Sequence, residues 1–124
     1  MGARTARGVR RFRLTGTGAF EALFRAGRRG EGAWLQLVAA PAREAPGRVG
    51  FVIGKKALRN AVDRNRVRRV LRVAVAGQRP DVEAFDVILR LKRGCARREV
   101  PAVAAEATAL LAALVAAAGE GAPR

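Results

Sequence analysis

The sequence contains no histidine, no tyrosine and no serine. Without histidine and serine, a Ser-His nucleophile or a nuclease built on paired histidines cannot be assembled. A two-metal nuclease would need converging carboxylates, but Asp plus Glu number only ten. The one local acidic cluster, Asp81, Glu83 and Asp86, follows Pro80 and reads as solvated loop charge. One cysteine, Cys95, excludes an intrachain disulfide. Two readings of it stay open, a small buried apolar residue or an exposed thiol, and no neighbour in sequence completes a metal site. No apolar segment of the signal-peptide kind follows the first arginines. No charge-free apolar run reaches the roughly 18 residues that span a bilayer; the nearest, residues 100–118, is mostly alanine and holds Pro101 and Glu106. The expectation is a soluble cytoplasmic protein with no membrane partner and no obligate protein partner.

What the chain has in excess is positive charge. Twenty-five Lys plus Arg against ten acids leave +15, and only Lys55, Lys56 and Lys92 are lysine. Such an excess repels itself in a compact domain and points to a polyanionic partner. The planar fork of arginine donates paired hydrogen bonds to phosphate and stacks on bases. Codon bias accounts for the preference of arginine over lysine but not for the net charge. At 124 residues there is room for one domain. Half the residues are apolar, many of them alanine, so the core is expected to be modest.

Residues 1–13 carry Arg4, Arg7, Arg10, Arg11 and Arg13 with no acid, which reads as a mobile basic arm that orders on a partner. Residues 14–118 form the expected single domain and 119–124 a disordered tail. Thr17 can cap a short helix that spaces Phe20, Leu23 and Phe24 at i, i+3 and i+4 and ends at Gly27. Gly30 and Gly32 mark a turn. Residues 33–40 read as a strand, with Trp34 on one face and Leu35 and Leu37 on the other. Residues 41–47 are a loop. Residues 48–54 read as a second strand, Phe51 and Ile53 opposite Val52, and its near-continuous apolar character places it centrally. Asn60 caps the next helix, with Asp63 in capping-box position. Val67, Val70, Leu71 and Ala74 make its buried stripe; Ala61 and Val62 fall off it, so the first turn is either irregular or packs elsewhere. Gly77 and Pro80 end it. Residues 85–91 are a third strand, 92–98 a basic loop and 100–118 a last helix with Val103, Ala107, Leu110, Leu111 and Leu114 at helical spacing. The fold class is α+β, a two-layer sandwich of helices on a small mixed sheet of about four strands, one short strand lying outside this reading.

The densest charge lies in residues 48–72. Arg48, Lys55, Lys56, Arg59, Arg64, Arg66, Arg68, Arg69 and Arg72 are nine cations against Asp63 alone, net +8. At 100° per residue from Val67, the apolar stripe spans about 300° to 40°, while Asn65, Arg68, Arg69 and Arg72 cluster between about 100° and 200°. Like charges a turn apart repel by a few tenths of a kcal/mol per pair, roughly, and a phosphate ladder relieves that repulsion. Ordinary solvated helix faces mix signs; this one does not.

The stretch RVGFVIGKKALRNAVDRNRVRRVLRVA resembles the signature of the bacterial ribonuclease P protein subunit family: a strand, Lys-Lys, a connector and an Arg-Asn-Arg helix. Phe20, Phe24 and Gly27 match the family's Phe-x-x-x-Phe-x-x-Gly pattern, FDVILRLKRG matches its late strand and basic turn, and the likeness covers about residues 12–115. The resemblance implies a ribosomal-protein-like domain with a left-handed β-α-β crossover, a hand against the usual rule. It implies that Arg64, Asn65, Arg66, Arg68, Arg69 and Arg72 contact a catalytic RNA; Arg10, Arg11 and Arg13 of the basic arm are read as auxiliary cations from their charge. It also implies that Phe20 and Phe24, with Lys55 and Lys56, line a cleft for the single-stranded 5′ leader of precursor tRNA. Trp34 falls near the family's aromatic strand position, where the preceding loop departs from the pattern. The protein would then hold no catalytic residue, and Mg²⁺ would be bound mainly by the RNA.

Bases stacked on aromatics beside a basic groove suit single-stranded RNA, yet aromatics at i and i+4 on a short helix also serve as core. Core, stacking surface or both stay open for Phe20 and Phe24. Two other classes compete: a ribosomal or assembly protein that binds structured RNA without processing it, and a sequence-specific DNA binder. Against the latter, the basic helix is arginine apart from Asn65, which suits phosphates better than base edges.

Overall fold

The computed structural model describes residues 17–44 and 46–121, apart from the side chains at 17–20 and 119–121. Helix α1 (Thr17–Ala26) leads into strands β1 (Arg28–Glu31), β2 (Leu35–Pro41) and β3 (Val49–Val52). Helix α2 (Ala61–Ala76) follows, then a 3₁₀ turn (Asp81–Ala84), strand β4 (Phe85–Leu91), a second 3₁₀ turn (Arg97–Glu99) and helix α3 (Val100–Gly121). The four strands form one mixed sheet in the order β1-β2-β4-β3: β1 and β4 run antiparallel to β2, and β3 runs parallel to β4. The chain is α+β, as the residue pattern implies.

Alternation along the strands builds two cores. Leu35, Leu37 and Ala39 of β2, Val87, Leu89 and Leu91 of β4, and Val49 and Ile53 face α2 and α3, whose Val67, Leu71, Ala74, Val103, Ala107, Leu111 and Leu114 are buried against them. The opposite face is smaller: Val38 and Ile88 pack with Leu23 of α1, with Phe24, Ala40 and Val52 half-buried around them. Gly27 lets α1 sit this close, since a Cβ there would meet the Leu23 carbonyl at 2.6 Å and the Val38 side chain at 2.7 Å.

Several elements differ from the sequence expectation. β1 is the strand outside that reading, and it occupies part of the expected turn; its sequence RRGE gives no alternation because most of it is exposed at the sheet edge. β3 is an edge strand and not a central one. Its apolar run reflects cover on both faces rather than strands on both sides, and the doubly covered centre is β4, where Val87, Ile88 and Leu89 are all buried. Trp34 lies before β2, packed on the larger cluster with Leu35 rather than opposite it. The first turn of α2 is regular and leaves Val62 exposed. α3 continues through residues 119–121, into the expected tail. By length and hydropathy α3 is long and apolar enough to cross a membrane; its Val103, Ala107, Leu111 and Leu114 stripe is buried in the core.

Candidate nucleic-acid interface

Asn60 opens α2, its Oδ1 accepting the Val62 N–H at 2.8 Å. Asp63 does not complete a capping box: its carboxylate accepts from Arg66 Nη1 at 3.0 Å, a stronger charged partner one turn on. The motif arginines divide by role. Arg64 turns back, its Nη1 donating to the carbonyls of Leu58 at 2.8 Å and Arg59 at 2.9 Å, and so fixes the connector before the helix. Arg66 is held by Asp63. Arg68 donates to Asn65 Oδ1 at 3.1 Å. Arg69 and Arg72 are exposed and have no acidic partner among the described residues. The outward ridge is therefore Asn65, Arg68, Arg69 and Arg72, carried on a helix whose other side, at Val67, Leu71, Ala74 and Val75, is buried.

A second basic surface lies where the parallel strands β3 and β4 end. There a hollow of about 440 Å³ is lined by Val52, Lys56, Ala57, Arg90, Lys92 and Arg93. Open α/β sheets place ligand crevices at the carboxyl ends of parallel strands. Lys56 lines it; Lys55 is exposed on the same connector but does not. Val52 joins this hollow to the α1 face of the sheet, where Phe24 is half-buried against Leu23, Val38 and Ile88. Phe24 thus packs its ring on the core while keeping part of it exposed. Arg29 of β1 donates to the Phe24 carbonyl. Trp34 is set apart from Phe24: it packs on the α2–α3 side, with the Arg93 guanidinium 5.2 Å over its ring.

Arg90, Lys92 and Arg93 had no assigned part in the sequence reading. Arg90 carries a signal in hindsight: in FDVILRL, period-2 alternation sets it opposite Leu89 and Leu91, on the α1 face beside Gln36. Arg93 has none, because its place depends on the β3–β4 pairing.

Acids inside this surface are few and engaged. The Glu31 carboxylate is held below the usual range, first by the Gln36 amide and then by Lys92, whose Nζ lies at 3.0 Å. Cys95 is half-exposed beside Asp63 and Arg66, and its thiol is pushed up by burial and then by Glu99 and Asp63, which disfavours the thiolate. Among the described residues no three His, Cys, Asp or Glu side chains converge on a point that fits a metal ion. Arg10, Arg11, Arg13 and the Phe20 side chain lie outside the described residues.

A family model for ribonuclease P matches residues 9–115. The ribonuclease P protein component of Chromohalobacter salexigens is 38% identical over 86 residues, 68% of this chain and 67% of that protein. That of Ralstonia pickettii is 40% identical over 62 residues, 50% of this chain and 44% of that protein. The chain thus spans about half to two thirds of the length of these relatives. In fold it is similar to the Staphylococcus aureus RNase P protein, with a TM-score of 0.66 at 18% identity over 86% of this chain and 94% of the other. The Thermotoga maritima RNase P protein gives a TM-score of 0.64 at 18% identity over 80% and 94%. With 107 consecutive residues matched by one family model, the chain belongs to the ribonuclease P protein family.

Proposed function

We propose that this chain is the non-catalytic protein subunit of ribonuclease P, assisting Mg²⁺-dependent endonucleolytic removal of the 5′ leader from precursor tRNA to give the mature 5′ end. The ridge of Asn65, Arg68, Arg69 and Arg72 grips the catalytic RNA through its phosphates, with Arg10, Arg11 and Arg13 as auxiliary cations. The leader runs over the α1 face, stacking on Phe20 and Phe24, and enters the hollow of Lys56, Arg90 and Arg93, with Lys55 at its margin. The protein neutralises repulsion between two RNA backbones and adds contacts to the leader. The metal is bound mainly by the RNA. The work is done in the cytoplasm.

The observation that carries this reading is the ridge itself: arginines on the outer face of a core helix, with Arg69 and Arg72 lacking acidic partners among the described residues. A self-contained fold has no use for that arrangement, whereas a phosphate ladder does. The test is reconstitution with a bacterial catalytic RNA at limiting Mg²⁺. The protein is expected to lower the metal requirement for cleavage of precursor tRNA, and the Arg69→Ala/Arg72→Ala double variant to lose most of that effect. Cleavage by the purified protein without RNA would contradict the assignment, as would a metal requirement that the protein leaves unchanged.

A further inference from the structure

Glu106 of α3 reaches the turn between β1 and β2, and its carboxylate accepts three consecutive backbone N–H groups: Ala33 at 2.7 Å, Trp34 at 2.9 Å and Leu35 at 2.7 Å. The same turn holds Arg93. The Ala33 carbonyl accepts Arg93 Nε at 3.1 Å, and the Arg93 guanidinium lies 5.2 Å over the Trp34 ring. Arg93 follows β4 in an irregular segment and lines the basic hollow with Lys56 and Arg90. A long side chain on such a segment would otherwise sample many rotamers and lose that freedom on binding. Here the freedom is already removed.

We propose that Glu106 is a positioning residue for RNA binding: by clamping the β1–β2 turn it presets the guanidinium of Arg93 in the hollow, so that an acid strengthens the hold on a polyanion. This rests on the reading of the hollow as a binding site for the leader. The sign is what makes it distinctive. By long-range electrostatics alone, removing a carboxylate from a chain of net charge +15 tightens its grip on RNA. The relay from Glu106 to Arg93 requires the opposite.

The experiment compares binding of leader-bearing and leaderless precursor tRNA to the holoenzyme reconstituted with a bacterial catalytic RNA. Arg93→Ala is expected to weaken the leader-dependent part by about tenfold and to reduce its salt slope by about one. Glu106→Gln is expected to weaken it by a similar factor although the net charge rises, and to change the emission of Trp34, the chain's one tryptophan. The Arg93→Ala/Glu106→Gln double variant should bind no worse than Arg93→Ala alone, whereas general structural damage would add to the loss. If Glu106→Gln binds as well as or better than the parent while Lys56→Ala and Arg90→Ala weaken binding, the positioning role is wrong and the hollow stands. If Lys56→Ala, Arg90→Ala and Arg93→Ala all leave the leader contribution intact, the hollow reading falls and the inference with it. Should Glu106→Gln fail to fold, Trp34→Leu keeps the Glu106 clamp but removes the surface under Arg93. It is expected to cost several-fold in leader affinity, and unchanged affinity would overturn the proposal.

Discussion

The carboxylate of Glu106 fills the space that a side chain at Gly32 would need: a Cβ on Gly32 would collide with the Glu106 carboxyl group. The turn between β1 and β2 is therefore built around an acid from α3, with the backbone stripped bare to admit it. Glu106→Ala leaves three N–H groups without their acceptor and is expected to cost about 2–3 kcal/mol. Gly32→Ala is expected to cost about 1–3 kcal/mol through overpacking. Because Glu106→Ala removes the carboxylate with which a Gly32 Cβ would collide, denaturant melts of the double variant should show less than the sum of the two.

The motif arginines separate under mutation. Arg64→Ala removes two bonds to the carbonyls of Leu58 and Arg59 and should lower stability by about 1–2 kcal/mol. Arg72→Ala should leave stability within about 0.5 kcal/mol of the parent, or raise it slightly as like-charge repulsion eases. In RNA titrations across salt concentrations, Arg72→Ala reduces the log–log slope by about one. A loss of fold in Arg72→Ala would show that the ridge is structural.

Phe24 serves two ends, and the two can be uncoupled. Its ring is half-buried against Leu23, Val38 and Ile88, so Phe24→Ala is expected to cost about 1–3 kcal/mol of stability. Phe24→Leu keeps most of the apolar volume and should cost less than about 1 kcal/mol. It still loses a stacking face, worth about 1–3 kcal/mol per base. If the ring both packs and stacks, thermal melts separate the two variants while leader affinity falls by a similar amount in both; leader affinity that Phe24→Leu preserves would mean that the ring only packs.

How much of this was legible in the sequence depends on how far each feature reaches along the chain. The α2 stripe at Val67, Leu71 and Ala74 and the ridge opposite it are local periodicities, and both are present as read. β1 was illegible because an exposed edge strand of Arg-Arg-Gly-Glu has no face to bury and hence no pattern. The hollow could not be read, because Lys56 and Arg93 meet only through the β3–β4 pairing. Glu106 looked like an interruption of an apolar helix, and its partners lie 71 to 73 residues away. Composition exposed the charge and periodicity the outward ridge, but the bonds that make Arg64 and Arg93 part of the fold, to the carbonyls of Leu58, Arg59 and Ala33, have no sequence pattern.

Stability should respond to acid through Glu31. Its folded pKa is depressed by Gln36 first and Lys92 next. Its contribution is therefore complete above the unfolded pKa and is lost as pH falls through the lower, folded value. Glu31→Gln is expected to melt below the parent at neutral pH, with the gap closing in acid as the parent's own carboxylate protonates. A gap that stays constant across the carboxylate range would mean that the contacts with Gln36 and Lys92 do not couple to folding.

The parallel pairing of β3 and β4 has a consequence for any attempt to simplify the molecule. Since α2 is the crossover between those two strands, it is tethered to the sheet at both ends, and its Val67, Leu71, Ala74 and Val75 side is covered only in that setting. Excised as a peptide, its sixteen residues would expose that side and bring unrelieved repulsion among the guanidiniums, in a length at which isolated helices are already marginal. The arginine motif is thus not a portable tag. The shortest fragment able to present it is the one that still carries the whole sheet.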